Sequence, residues 1–358
     1  MRPEVARHWR GSGDAGIGIR IPAMRSRTVV SSSAVLIAVV CGVVTGLAQS
    51  PTPRVQSQRA VAAAKTYTPA RTPWGDPDLQ GSYTTTNENG VPLERPNQYP
   101  AQGTMSDEEF HKLVVAQKER ARATAGRIGG AETGAGPTHW YEHLDAEPTQ
   151  LWMISEPADG KLPPLTPEGQ KRVQAARAAR PLQQTRFEHF GLYDRCITRG
   201  LTGSVIPVIY GNSLDITQGP GVVVIRNEMI HESRVIPLDN RERPSSAIKG
   251  YMGVSRGHWE GTTLVVETTN FTDKTQIGIN GNGNPHSEAL TVTERYIPVN
   301  KKTVRWEVTI NDPNTWTQPW TFGLPLTQDA TQAVVEYACH EGNYAIRNIL
   351  TGAAAQGK

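Results

Sequence analysis

Cysteine is scarce in this chain: Cys41, Cys196 and Cys339 are the only three among 358 residues. No Cys-x-x-Cys pair and no Cys/His cluster at zinc spacing occurs, so a structural zinc module is excluded and no metal site is expected on any single element. Gly-x-Ser-x-Gly, P-loop, His-Glu-x-x-His and dinucleotide fingerprints are missing too. Their absence removes the most readily recognised enzyme classes, though not catalysis itself, and no cofactor is expected. Excess charge is also lacking. Residues 1–48 hold six basic residues (Arg2, Arg7, Arg10, Arg20, Arg25, Arg27) and two acids (Glu4, Asp14), a net +4, against +3 for the whole chain. The remainder therefore carries −1, which gives nucleic acid or anionic lipid no bulk attraction.

What is present begins with an apolar stretch at residues 34–48, AVLIAVVCGVVTGLA. It is shorter than the roughly 20 residues a spanning helix needs. Arg25 and Arg27 precede it, and Gly46 and Ala48 supply small residues at its end. That is the order of a secretory signal, with cleavage expected near Ala48 and the product in the periplasm or secreted. A retained anchor is the alternative, and Met24 is an alternative start. Val39 and Val40 argue against lipidation of Cys41. After processing no stable membrane span is expected. Cys196 and Cys339 then remain in an oxidising compartment, where one disulfide is expected; two separate buried thiols are the alternative.

Residues 49–70 read as a flexible linker, rich in Pro, Gln, Thr and Ala. Residues 71–186 read as an extended arm with helices. Trp74 and Leu79 anchor RTPWGDPDLQGSYT; Ser106 and Glu109 form a capping box before a helix reaching about Ala125. A Gly-rich break covers residues 129–136, and Thr166-Pro167 opens a second helix that ends before Pro181. From residue 187 to 358 the texture is β. Residues 222–229, 263–269, 289–297, 303–310 and 333–339 are Val/Ile/Thr-rich runs separated by turn signals, the pattern of an antiparallel barrel or sandwich. In the run 303–310, Val304, Trp306, Val308 and Ile310 share one face, opposite Arg305, Glu307 and Thr309.

The stretches RCITRGL, VVVIRNEMIHESRVIPLD, SRGHWEGTTLVVETTNFTDKT, DPNTWTQPWT and EYACHEGNYAIRNIL, with the PWGDPDLQG arm, together resemble a family of exported bacterial proteins without an established activity. The resemblance runs from Arg71 to the end and implies export and one shared fold. More loosely, Gly81-Ser82-Tyr83 is similar to the Gly-x-Trp opening of lipocalin-like barrels, with Tyr83 in place of Trp.

Candidate chemistry centres on Glu294. Leu290, Val292, Glu294 and Tyr296 share a strand face, so a carboxylate stands among apolar neighbours and needs a cation or donors. Arg226, sharing the face of Val222 and Val224 in its own run, is the expected partner. The pair serves either as a structural brace or as an acid/base group. His231 and His340 are further candidates for proton transfer. His258, Tyr296, Trp316 and Trp320 are candidates for ligand contact, the two tryptophans forming either a plug or an aromatic wall. The Gly/Asn-rich residues 278–284 read as a flexible loop. Two functions follow. One is a module binding a small, largely apolar molecule in a barrel cavity; the other is a cofactor-free lyase, isomerase or hydrolase acting on such a molecule. Nothing in the sequence speaks to oligomeric state.

Overall fold

The structure, a computed structural model, describes residues 67–99, 106–128, 142, 147–181, 184–329 and 334–355. The expected secretory signal and most of the expected linker lie outside the described residues, as does the Gly-rich break at 129–136. Among the described residues no helix is long and apolar enough to cross a membrane.

Alternation of apolar and polar residues creates strands with one buried face, and these strands build a ten-stranded antiparallel sheet. In chain order they are β1 (Gly81–Thr84), β2 (Ile154–Glu156), β3 (Ser213–Gly219), β4 (Val222–Asn227), β5 (Ser233–Pro237), β6 (Val254–Glu260) and β7 (Thr263–Thr269). After a separate two-stranded ribbon, β8 (Gln276–Ile277) with β9 (Asn284–Pro285), come β10 (Thr291–Asn300), β11 (Thr303–Asn311) and β12 (Trp320–Gln328). Nine of the ten follow the order β5-β4-β3-β1-β12-β11-β10-β7-β6, and β2 pairs with β12. The edge strands β5 and β6 meet, so the sheet curls into a nearly closed barrel. Gly257 makes this seam possible. A Cβ there would lie 2.7 Å from Leu238 Cδ2 and 2.9 Å from Ile236 Cγ2, so a side chain on β6 would push β5 away.

The arm is part of this barrel, not a separate wrapping. β1 lies between β3 and β12, and β2 occupies the other half of the same edge of β12. The helices stay outside the sheet. In α1 (Asp107–Ile128) the capping box forms as expected: Glu109 accepts from the Ser106 backbone N–H, and Ser106 Oγ accepts from the Glu109 N–H. In α2 (Pro167–Ala178), Thr166 caps the Gly169 N–H at 3.0 Å. The one-turn α3 (Gly200–Gly203) packs on the β8/β9 ribbon.

Inward-facing residues alternate along every long strand. Val304, Trp306, Val308 and Ile310 on β11 lie opposite Leu326, Leu324, Phe322 and Trp320 on β12 and bury completely or nearly so. Such a row contributes most of the driving force, at about 1.5–3 kcal/mol for each fully buried large apolar side chain. Three expectations fail. The β texture does not run to residue 358, since Ala345–Ala355 form a helix. Residues 334–339 form no strand, because Val335, Glu336 and Ala338 face solvent and no edge is offered to them. The Gly/Asn-rich residues 278–284 are not a loose loop; they carry a 3-10 turn within the β8/β9 ribbon. Gly281, at φ +65°, sits so close to Arg199 that a Cβ would lie 2.3 Å from its carbonyl oxygen.

Candidate functional site

Glu294 points into the barrel, as its alternation predicts, and is wholly buried. Its partner is Arg234 of β5, not Arg226. Register explains the difference. Arg226 falls opposite Ser233 on the outer face, where it pairs with Asp215 at 2.6 Å and donates to the Val334 carbonyl. Arg234 falls opposite Ile225, an inward position. Arg234 Nη1 donates to Glu294 Oε2 at 2.5 Å and Nη2 to Oε1 at 3.0 Å. Tyr296 Oη and Trp306 Nε1 each donate to Oε1 at 2.9 Å. Burial works against the Arg234 charge, yet Glu294 beside it outweighs burial and holds the guanidinium above its ordinary pKa. Burial, and then the Glu294 charge, raise the Tyr296 phenol well above its usual range. Both carboxylate oxygens are thus engaged, and the network braces β5 to β10 across the seam.

The remaining candidates do not converge there. His258 stands on the outer face of β6, 3.3 Å from Glu260. Trp316 and Trp320 are buried and meet edge to face at 5.5 Å, filling the core as a plug. His340 is exposed in a turn. His231 is exposed as well, its Nδ1 3.2 Å from the Tyr337 carbonyl oxygen. Another histidine, His286, is buried and bonded within the protein, to Thr275 Oγ1 at 2.8 Å and the Ser287 carbonyl at 3.0 Å; burial lowers its pKa. Among the described residues no group of three His, Cys, Asp or Glu side chains is arranged to hold a metal ion.

A second buried arginine differs from Arg234. Arg199 precedes α3 in RCITRGL and is 1% exposed. It lies where β3 begins and β4 ends. Nη1 reaches the Gly211 carbonyl at 3.4 Å, a long contact. Among the described residues, Nε and Nη2 find no acceptor. These two nitrogens form one edge of the guanidinium, the two-pronged fork that matches a carboxylate or phosphate. The Tyr193 ring lies against the cation, 5.6 Å from its centroid. The hydroxyls of Tyr337, Tyr210 and Tyr193 are hydrogen-bonded in a row.

The electrostatics follow from burial. It pulls the Arg199 pKa down to about 10, against the opposing influence of Tyr193, Tyr210, Glu142 and Glu228. The two acids act through space, their oxygens being spent elsewhere. Glu142 accepts from Gly211, Thr86 and Asn212. Glu228 bonds Ser213, and burial followed by the charge of Glu142 raises its pKa. Glu232 accepts from Thr198 Oγ1 and from the Arg199 backbone N–H, fixing the turn that aims the arginine.

The backbone around Arg199 is unusual. Cys196, Ile230 and His231 adopt φ of +56°, +61° and +42°. For a β-branched residue such as Ile230 this is an outlier, and left-handed non-glycine residues cost on the order of 1–3 kcal/mol each. The Cys196–Cys339 disulfide closes over the same region. Sequence reasoning missed Arg199 because it sits in a turn, where no periodicity reports burial. Arg234 was legible: it shares a face with Ile236 in SRVIP, the same signal that marks Glu294.

No family model matches the chain, and neither the curated proteins nor the solved structures contain a match to it.

Proposed function

We propose that this is an exported protein that binds a small, largely apolar molecule bearing a carboxylate, with Arg199 as its anchor. One observation carries the reading: a buried guanidinium presents a complete fork with no acceptor among the described residues. Leaving such donors unmatched costs about 1–3 kcal/mol or more, which an incoming oxyanion recovers. The tyrosine faces of Tyr193, Tyr210 and Tyr337 suit the apolar body of such a ligand. The acid/base enzyme reading, built on Glu294, loses support because that carboxylate is wholly buried and both its oxygens are bonded within the protein.

Titration with benzoate and 4-phenylbutyrate, followed by calorimetry, tests the proposal in both oxidised and reduced protein. Arg199→Met should weaken binding by at least about tenfold, the typical scale of a lost charge-assisted pair. The exposed Arg295→Ala should bind normally. Arg199→Met should also raise the melting temperature, since an unmatched buried charge is removed. A variant that melts earlier and binds as before would make Arg199 a structural residue and end the reading.

A further inference from the structure

Residues 334–344 cross the Arg199 site with no residue fully buried, only Val334, Tyr337 and Cys339 being half-buried. Val335, Glu336, Ala338, His340 and Tyr344 face solvent. Among the described residues the segment has no strand partner. Among them, too, its noncovalent ties outside the segment are few: Arg226 to the Val334 carbonyl, His231 to the Tyr337 carbonyl, Asn343 Nδ2 to Cys196 Sγ, and Tyr337 to Tyr210. The remaining tie is covalent, Cys196–Cys339, two residues beyond Tyr337. Tyr337 meanwhile stacks near Tyr210 with ring centroids 6.3 Å apart and feels the Arg199 charge. A segment without buried apolar anchors belongs to the least stable part of a fold, and its position here depends on the sulfur bridge.

We infer that residues 334–344 form a disulfide-fastened lid over the Arg199 fork, and that thiol–disulfide exchange opens it. This rests on the carboxylate-binding reading above and adds its regulation. Access decides which sulfur reacts: Cys196 is buried, whereas Cys339 is half-buried on the outer segment. A dithiol reductant attacks Cys339 Sγ as a thiolate, and Cys196 leaves as a thiolate and takes up a proton. The reductant's second thiol then displaces Cys339, which is protonated in turn. Two electrons and two protons enter the protein, and the reductant departs as a cyclic disulfide. Tyr337 is then free to swing out with its segment, and the fork of Arg199 is uncovered.

Brief treatment with phenylglyoxal, followed by peptide mass mapping, reads the lid without any ligand. In the oxidised protein Arg199 should stay unmodified; after reduction with dithiothreitol its modification should rise by about tenfold or more, the signature of a released local closure. Arg234, deep in the barrel, should stay unmodified in both states and reports that the fold survives. Cys339→Ser should behave as the reduced protein without reductant. The lid is refuted if Arg199 reacts equally before reduction, if it stays protected afterwards, or if Arg234 reacts alongside it, since the disulfide would then brace the whole barrel. The two proposals fail separately. An open lid without benzoate binding sinks the carboxylate reading, and benzoate binding that ignores redox state sinks the lid.

Discussion

Glu294 and Glu88 are both wholly buried carboxyl groups, and their surroundings give them different roles. Glu294 accepts four hydrogen bonds, from Arg234 twice, Tyr296 and Trp306. Glu294→Gln keeps the shape but strands Arg234 without its counterion. A loss of about 3–5 kcal/mol in urea unfolding is expected, with benzoate binding at Arg199 unaffected once folded. Unchanged stability would show that the network is not a brace. Glu88 is different again. It is wholly buried where the arm meets β11, with Oε1 bonded to Thr149 and Oε2 without a partner among the described residues. Burial raises its pKa from 4.5 to about 7, against the lowering effects of Thr149 and Arg305. Between those values the folded chain keeps a proton that the unfolded chain has released. Stability therefore falls as pH rises through this window, by about 3 kcal/mol in total from this one group. Glu228 and Glu232 are shifted the same way, so the comparison must be with a variant. Urea midpoints at pH 5 and pH 8 should differ less in Glu88→Gln than in the parent; equal differences would show that Glu88 ionises without cost.

At the scale of elements, periodicity was readable in some of the long strands with one buried face, but β3, β6 and β12 were not assigned from it. β4 and β7 lie within the Val/Ile/Thr runs, β10 and β11 overlap theirs and run slightly past them, and the two longest helices announce themselves through Ser106/Glu109 and Thr166-Pro167. β1 and β2 were not readable, because strands of four and three residues offer too few alternations to count. β12 does alternate, with Trp320, Phe322, Leu324 and Leu326 inward, but Gly323 and Pro325 interrupt the run with residues that usually end a strand. Residues 333–339 mislead in the opposite direction: Val334-Val335 has strand composition, while the disulfide at Cys339 holds the segment over a turn region. The candidate site was legible in the same proportion. Glu294 lies on a long strand and its burial follows from spacing. Arg199 sits in a turn, and its burial follows only from tertiary packing against Gly281 and Tyr193. The misassigned Arg226 shows the limit of face arguments. Val222 and Val224, its same-face neighbours, are themselves on the outer side of the barrel, so apolar company alone did not identify the interior.

At the scale of the whole molecule, the barrel depends on chain segments far apart in sequence. β1, near residue 80, is inserted between β3 and β12, with Tyr83 opposite both Leu214 and Gln328. The arm and the β-rich region are therefore one folding unit. A chain starting at residue 187 would lack β1 and β2 and would expose open edges on β3 and β12 in the middle of the sheet, leaving backbone groups unpaired and Leu214, Ile216 and Phe322 uncovered. Each missing ladder bond is worth only about 0.5–1.5 kcal/mol net, but a domain's whole stability is about 5–15 kcal/mol, and the lost burial of Leu79, Tyr83, Met153 and Ile154 adds to the deficit. Residues 187–358 alone should accordingly show no cooperative thermal transition. Supplying residues 67–186 as a separate chain during refolding should restore it, since an added strand can complete an open sheet edge. Circular dichroism melts of the fragment, with and without the second chain, decide the matter. A fragment that melts cooperatively by itself would mean that the barrel closes without the arm, and that β1 and β2 only decorate a sheet complete without them.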